Sequence, residues 1–225
     1  MVASEKSRSR ILEFMSFDVL APHYRWMEFV LAGEKLQRCR TAFLNEAEAH
    51  DVLILGEGNG RFLVECRRRL ANARITCVDQ SARMLELARK RLVRLGLYSD
   101  HVTFVHADAL ELAPPENAFD LVVTHFFLDC FQPEQVEKIV GKLSRAATAQ
   151  ASWLMSDFQL PASGLRQCRA RIILWMMYLF FRAATALPAR RLTNPDGFLK
   201  AHGFVLCNRQ SSEWGLLHSD CWRRV

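Results

Sequence analysis

Residues 51–63, DVLILGEGNGRFL, place three glycines at alternate positions directly behind an apolar run. The run DVLILGE is typical of a buried strand, and residues 60–71 have helical periodicity. Glycine permits a sharp turn from strand to helix and leaves the backbone open to a ligand, because it has no side chain. The stretch therefore predicts a strand, a turn and a helix, with a ligand held at the turn.

Strand-like and helix-like segments alternate along the rest of the chain. The further segments with strand character are RITCVD, HVTFVHA, AFDLVVTHFF and ASWLMSDF. Helical periodicity extends over residues 81–96, 132–148 and 165–187. Near the C-terminus, GFVLCNRQ and GLLHSDCWRR are joined by a short polar segment and predict a hairpin. We therefore expect an α/β fold: a doubly wound, mostly parallel seven-stranded sheet with a C-terminal antiparallel hairpin and helices on both faces.

Composition narrows the class of protein. Half of the 225 residues are hydrophobic, which is typical of a folded domain with a substantial core. The seven cysteines form no CxxC pair and are odd in number, so we expect neither a disulfide framework nor a metal site. No uninterrupted apolar run follows the N-terminal charges, so we expect no secretory signal and a reducing, cytoplasmic location. The net charge of +6 fits RNA, anionic lipid or acidic substrates, and it equally fits a solvated surface.

Two carboxylates follow the glycine turn at the ends of successive predicted strands. Asp79 ends the second strand, where it could accept both hydroxyls of a ribose lying over the turn. Asp108 ends the third strand, where it could accept from the exocyclic amine of an adenine. Strand-end aspartates also serve as cap or turn residues. The glycine turn, Asp79 and Asp108 together, on neighbouring strand ends, favour a nucleotide-like ligand. A dinucleotide fingerprint is disfavoured, because Arg61 stands where its third glycine would be, and no P-loop lysine follows the turn.

At this point the chain resembles a class I S-adenosylmethionine-dependent methyltransferase. The segments that carry the resemblance are VLILGEGNGRFL, ITCVDQSARMLELARKRL, VHADAL, FDLVVTHFFLDCF and WLMSDF. The opening FDVLAPHYRW looks like the lead-in of the branch that methylates quinones and other small molecules. The resemblance implies S-adenosylmethionine as cofactor and a small-molecule acceptor.

The resemblance also implies a set of cofactor-binding residues. They are Gly56, Glu57, Gly58, Gly60, Asp79, Gln80, Met84, Asp108, Ala109 and Thr124. Within this set the glycines let the main chain approach the methionine part, and Asp79 takes the ribose hydroxyls. Met84 lies against the adenine, although it also fits an ordinary core position of an amphipathic helix.

One position departs from the family pattern. The family usually has an acidic residue two places before the first glycine, and here that residue is Ile54. Two alternatives stay open for Glu57, inside the turn: it supplies the missing carboxylate to the cofactor's ammonium, or it points to solvent.

The end of the fourth strand, THFFLDCF, is where we look for the chemistry. His125 has a suitable pKa for a general base, although it could simply cap the strand. Methyl transfer can also proceed by positioning alone. The Asn/Asp-Pro-Pro-Tyr/Phe sequence of enzymes that methylate nucleic-acid bases is absent, so nucleic acid is not the expected partner. The residues predicted to meet the acceptor are Tyr24, Phe126, Phe127, Asp129, Trp175 and Tyr178, and Asp157 is a further acid near the same edge.

Residues 171–187, RIILWMMYLFFRAATAL, are apolar nearly all round. The segment is too short for a membrane span and is interrupted by Arg182. The segment fits a helix buried between the sheet and the cap. It also fits a lid over an apolar acceptor, and such a lid could dock on an anionic membrane surface. We favour the lid.

We therefore expect one methyltransferase domain over residues 1–225. Its predicted parts are an N-terminal helical cap (1–48), a cofactor-binding core (50–160), an apolar helical lid (161–200) and a terminal hairpin (203–225). The expected reaction is O- or C-methylation of an apolar or aromatic compound. The alternatives are a non-catalytic S-adenosylmethionine-binding module and an RNA or protein methyltransferase. The sequence makes no prediction of oligomeric state.

Overall fold

Seven strands form one sheet in the computed structural model, which describes residues 33–185 and 192–225. The strands are β1 (Asp51–Leu55), β2 (Arg74–Asp79), β3 (Val102–His106), β4 (Phe119–His125), β5 (Ala147–Phe158), β6 (Phe204–Ser212) and β7 (Leu217–Arg224). Their order is β3-β2-β1-β4-β5-β7-β6. The first five strands are parallel, and β7 runs antiparallel to both β5 and β6. The predicted fold class is confirmed.

Six α-helices occur in the described residues, and four of them lie close to residues 60–71, 81–96, 132–148 and 165–187, where the periodicity predicts them. They are α1 (Gly33–Thr41), α2 (Arg61–Arg69), α3 (Ala82–Arg94), α4 (Pro133–Ala146), α5 (Gly164–Thr185) and α6 (Asp196–Ala201). Local chemistry explains where two of them begin. Ser81 accepts a hydrogen bond from the Met84 amide at the start of α3, and Gln132 and Gln135 form a capping box before α4. Tyr24 and most of the predicted N-terminal cap lie outside the described residues.

The sheet is buried on both faces. Along β1, Val52 and Ile54 pack with α2 and α3, while Leu53 and Leu55 pack on the opposite face with α4. This explains why the strand reads as a continuous apolar run rather than an alternating one. Ile54 therefore belongs to the core.

A third apolar cluster covers the carboxyl ends of β4 and β5. It joins α1, α5 and β7 through Leu36, Cys39, Ala170, Leu174, Met177, Tyr178, Leu216 and Leu217. Phe126 and Phe158, which lie at the ends of β4 and β5, pack against it. In an open parallel sheet, ligands bind beyond the carboxyl ends of the strands, where the strand order reverses. Here that point lies between β1 and β4, so α5 borders the expected ligand site.

Gly60 and Gly96 provide a matched test of how tightly α2 packs on α3. Both have a left-handed φ, +82° and +67°, but a Cβ on Gly60 would lie 2.7 Å from Ala88 Cα, whereas one on Gly96 would meet nothing within 4 Å. Gly96→Ala should cost about 1–2 kcal/mol from backbone conformation alone. Gly60→Ala should cost roughly 1–3 kcal/mol more from overpacking. Urea unfolding measures the free energy of unfolding of both variants. An equal loss of stability in the two would mean that α3 shifts to accommodate the added methyl group at no energetic cost.

Candidate cofactor and acceptor site

The glycine turn joins β1 to α2 through three residues in left-handed conformation. Gly56, Gly58 and Gly60 have φ of +66°, +67° and +82°, which other residues rarely adopt. A Cβ on Gly56 would lie 2.3 Å from the ring of Phe127. The Gly56 amide donates to the Val78 carbonyl at 2.9 Å, which ties the turn to β2. The turn is thus bare for two reasons, its backbone conformation and the ring packed against it.

Asp79, at the end of β2, is held beside this turn. Its Oδ2 accepts from the Gly58 amide at 3.1 Å, and its Oδ1 accepts from the Ser81 amide at 2.9 Å. The side chain is only partly buried. Its carboxylate is therefore oriented before any ligand binds, in a position that suits ribose hydroxyls over the turn.

Asp108 lies on the neighbouring strand end. Its Oδ1 accepts from the Leu110 amide at 2.8 Å, as a turn residue does, and its Oδ2 accepts from Gln80 Nε2 at 3.4 Å. Ala109 beside it is buried, as is Met84 in the first turn of α3. The ends of β2 and β3 thus bring together the residues predicted for the adenosine end.

Glu57 turns toward the first turn of α2. Its Oε1 accepts from the Leu63 amide at 2.9 Å. Burial raises the pKa of Glu57 to about 7. Hydrogen bonds from α2 and the charge of Arg40 act in the opposite direction, because they favour the ionised form. The helix N-terminus stabilises this carboxylate, so Glu57 has a structural partner within the chain. Its contact with the cofactor's ammonium stays a prediction.

His125 is the last residue of β4 and is buried. Its ring lies edge-on to Phe62, with centroids 4.6 Å apart. Neither ring nitrogen has a hydrogen-bond partner within the part of the chain that the structure describes. Burial, and then the charge of Arg40, hold the pKa of His125 well below its ordinary value. The imidazole is therefore neutral at physiological pH, and its surroundings oppose the gain of a proton.

Thr124 precedes His125 and has a different environment. Its Oγ1 accepts from Trp153 Nε1 at 2.8 Å, in the core between the sheet and α4. The hydroxyl is thus engaged within the protein, while His125 packs on the other face of the sheet.

The described residues predicted for the acceptor lie in three places. Phe126 packs on Phe158, with ring centroids 5.3 Å apart, and Tyr178 donates a hydrogen bond of 3.4 Å to the Asp129 carbonyl. These residues meet beneath α5. Trp175 instead lies on the outer face of the helix and is 66% exposed. Phe127 packs between Gly56 and Phe131, on the cofactor side.

Phe126 has a φ of +52°, which is unusual for a residue with a large side chain. Its amide donates to the Ser156 carbonyl at 2.7 Å, and its ring packs in the cluster under α5. Such a conformation costs about 1–3 kcal/mol and persists only where its surroundings enforce it.

Arg40 is a site residue that our sequence reasoning missed. It is buried in α1, with its guanidinium carbon 5.3 Å from the ring centroid of Phe126. Its charge acts on both His125 and Glu57. A signal was present, because Leu36, Cys39 and Arg40 follow helical spacing and are all buried. An arginine on an apolar face indicates a specific partner.

Comparison with known proteins identifies the family. A family profile described as a methyltransferase domain matches residues 52–150, which contain the glycine turn, Asp79 and Asp108. The demethylmenaquinone methyltransferase of Deinococcus radiodurans is 29% identical over 167 residues, which are 73% of this chain and 67% of the relative. The chain belongs to the class I S-adenosylmethionine-dependent methyltransferases. S-adenosylmethionine, the cofactor that the resemblance implies, is thereby confirmed.

Two solved methyltransferases share the fold. The mitomycin 7-O-methyltransferase MmcR matches with a TM-score of 0.69 at 17% identity, and the match covers 93% of this chain and 61% of that chain. The 1,6-didemethyltoxoflavin-N1-methyltransferase of Burkholderia thailandensis matches with a TM-score of 0.67 at 17% identity, over 100% of this chain and 92% of that one. This chain thus spans about two thirds of its quinone-methylating relative and three fifths of MmcR. Because one neighbour methylates oxygen and the other nitrogen, the fold does not select the acceptor atom.

Among the described residues, no helix combines the length and hydrophobicity needed to cross a membrane.

Asp79 and Asp120 allow a test of the cofactor assignment. Asp79→Ala should weaken S-adenosylhomocysteine binding about tenfold or more, because a charge-assisted hydrogen bond contributes roughly 1.5–3 kcal/mol. Asp120 accepts from the His50 and Asp51 amides at the opposite edge of the sheet. Asp120→Ala should therefore lower stability and leave affinity unchanged. Isothermal titration calorimetry measures the S-adenosylhomocysteine affinity of both variants. An unaltered affinity in the Asp79 variant would contradict the assignment of Asp79 to the ribose.

Proposed function

We propose that this methyltransferase transfers a methyl group from S-adenosylmethionine to oxygen or carbon of a small, largely apolar acceptor. The observation that carries the proposal is the pairing of two surfaces at one edge of the sheet. The ends of β2 and β3 present hydrogen-bonding carboxylates. The ends of β4 and β5 present Phe126 and Phe158, which lie under the inner face of α5, formed by Leu174, Met177 and Tyr178. A mostly apolar wall with few polar groups suits a ring or an acyl chain.

The chain's residues would act chiefly by positioning. S-adenosylmethionine, when bound, supplies a methyl group on a sulfonium that is displaced in line. Asp79 and the glycine turn would fix the adenosine end, and Phe126 with Tyr178 would orient the acceptor. Holding two reactants in line can lower the barrier by about 7–11 kcal/mol, so no dedicated base is required for every acceptor. The apolar cluster under α5 excludes water from that edge.

The curated relative supports this acceptor class, since its name specifies demethylmenaquinone, a quinone compound. A methyl-transfer assay with labelled S-adenosylmethionine tests the proposal directly. The acceptors should include demethylmenaquinone, 2-naphthol, and an RNA and a protein lysate as competing classes. Transfer to an apolar ring compound is the expected result. Transfer only to RNA or protein, or none to any acceptor, would contradict it.

Phe126 and Tyr98 allow the acceptor wall to be tested against a distant aromatic. Phe126→Ala should reduce turnover of an apolar acceptor by roughly ten- to a hundredfold, since a buried aromatic side chain contributes about 1.5–3 kcal/mol. S-adenosylhomocysteine affinity should stay within about threefold, because Phe126 faces α5 rather than the ends of β2 and β3. Tyr98, partly exposed beyond α3, is the control. Equal turnover in the two variants would remove Phe126 from the acceptor site.

We further propose that the outer face of α5 rests on an anionic membrane surface. This outer face consists of Leu165, Ile172, Trp175, Met176 and Leu179, all exposed. Arg166, Arg169 and Arg171 are exposed on the same helix. Arg169 also lies over Trp214, which is itself exposed on the turn before β7. Apolar and aromatic side chains beside arginines suit an interface of acyl chains and anionic headgroups.

Vesicle binding tests this surface. The protein should cosediment with phosphatidylglycerol vesicles more than with phosphatidylcholine vesicles, and added salt should weaken the binding. Trp175→Ser should reduce it, whereas Val93→Ser, on the exposed side of α3, should not. Absence of vesicle binding would contradict the proposed membrane contact. A dimer that is seen in sedimentation and abolished by Trp175→Ser would instead assign the outer face to a second copy of the chain.

A further inference from the structure

Two buried acids lie side by side at the ends of β4 and β5. Asp129 follows β4 in the short turn Leu128–Cys130, and Asp157 is the next-to-last residue of β5. They are 6% and 2% exposed. The two strands are adjacent and parallel, with His125 opposite Ser156, which brings the two acids to one edge. The Asp129 amide also lies close enough to the Asp157 carboxyl to oppose the rise of its pKa.

One oxygen of this pair has no hydrogen-bond partner in the part of the chain that the structure describes. Asp157 Oδ1 accepts from the Phe158 amide at 2.7 Å, but the buried Oδ2 makes no hydrogen bond with any described residue. Leaving a buried polar atom unpaired costs free energy, roughly 1–3 kcal/mol, unless a ligand or water satisfies it. The atom lies among the residues that border α5, so it points to a polar group of a molecule bound there.

Groups from several elements face the acid pair. Cys39 of α1 is affected by the charge of Asp157, and His218 of β7 is the register partner of Asp157. Cys130 donates to Asp129 Oδ1 at 3.5 Å, and Tyr178 of α5 donates to the Asp129 carbonyl. Asp220 of β7 adds a further negative charge near Asp157. Both Cys130 and Tyr178 have raised pKa values because of burial and then the negative charge of Asp129, so they stay protonated donors.

This environment favours one shared proton. Burial raises the pKa of Asp129 to about 6. Burial, and then the charge of Asp129, raise the pKa of Asp157 well above its ordinary value. Two buried carboxyl groups whose charges act on one another do not both ionise readily, and the pair holds one proton over a wide pH range. It therefore offers one hydroxyl donor and one carboxylate acceptor, the combination that complements an alcohol or phenol.

We propose that Asp129 and Asp157 form a proton-sharing acid pair that binds the hydroxyl of the acceptor and takes its proton during methyl transfer. The inference rests on the proposed function and narrows it to O-methylation of a hydroxyl-bearing apolar compound. The acceptor oxygen forms a bond to the methyl carbon, and the methyl–sulfur bond breaks with its electron pair left on sulfur. The O–H proton passes to the carboxylate oxygen of the pair, which later releases it to solvent.

The acid pair suits this role better than His125 does. A proton gained by the pair cancels a buried negative charge. A proton gained by His125 would create a buried positive charge close to that of Arg40. Electrostatics thus favours the carboxylates as the proton acceptor.

The pH dependence of stability is the first test. An acid whose pKa is higher in the folded than in the unfolded chain contributes stability at low pH, which is lost as the pH rises through the folded value. Asp157→Asn removes the repulsion, so it should raise Tm at about pH 8, and this gain should vanish toward about pH 4. A merely structural aspartate would instead give a less stable variant throughout.

Asp220 is the matched control, because it is equally buried but paired. It accepts from Arg209 at 2.7 and 2.6 Å. Although burial opposes ionisation, hydrogen bonds from Arg209 and His218 hold the pKa of Asp220 below its ordinary value. Asp220→Asn should therefore lower Tm at about pH 8, the opposite sign to Asp157→Asn.

Turnover of 2-naphthol is the second test, with S-adenosylhomocysteine affinity as its reference. Asp157→Asn should reduce kcat about a hundredfold or more and leave cofactor affinity unchanged. Unchanged turnover, or a lower Tm for Asp157→Asn at high pH, would overturn the acid pair while leaving the proposed function intact. A wild-type protein that binds S-adenosylhomocysteine but methylates no acceptor would overturn the proposed function first, and this inference with it.

Discussion

The convergence of parallel strands at one edge of the sheet is the constraint on which the site depends. Because β1, β2, β3, β4 and β5 all run in the same direction, their carboxyl ends meet along a single line. The glycine turn follows β1 at that line, and its three left-handed residues are all glycines, which adopt this conformation without strain. Asp79 then bonds to the turn itself, through the Gly58 amide. Cofactor recognition is thus a property of the sheet edge as a whole.

The acids at this edge differ because their surroundings differ. Asp79 is partly exposed and accepts two backbone hydrogen bonds, which hold its carboxylate in the orientation that the proposed ribose contact requires. Asp220 is buried but bonded to Arg209, so it stays ionised. Asp129 and Asp157 are buried against one another, so their pKa values rise. Three outcomes for one residue type follow from backbone hydrogen bonds near solvent, from a counter-charge, and from burial beside a like charge.

Helix α5 has two faces with different surroundings. Leu174, Met177 and Tyr178 pack over the ends of β4 and β5. The outer face presents Trp175 and Leu179 to solvent. A helix that borders a proposed acceptor site on one side and is apolar on the other provides a physical route for a lipophilic acceptor. Arginines on the same helix add attraction to an anionic surface.

The sequence by itself determined the fold class and the positions of the residues at the strand ends, because these depend on local periodicity and on turn chemistry. Its resemblance to a known family indicated the cofactor. Gly56, Asp79 and Asp108 could be found by their spacing alone. Only the tertiary structure decided the environments. It turned Glu57 to α2, engaged Thr124 with Trp153, buried Arg40 beside His125 and divided α5 into an inner and an outer face. Burial and the proximity of Asp129 to Asp157 arise from contacts between residues far apart in the chain, and no local pattern encodes them.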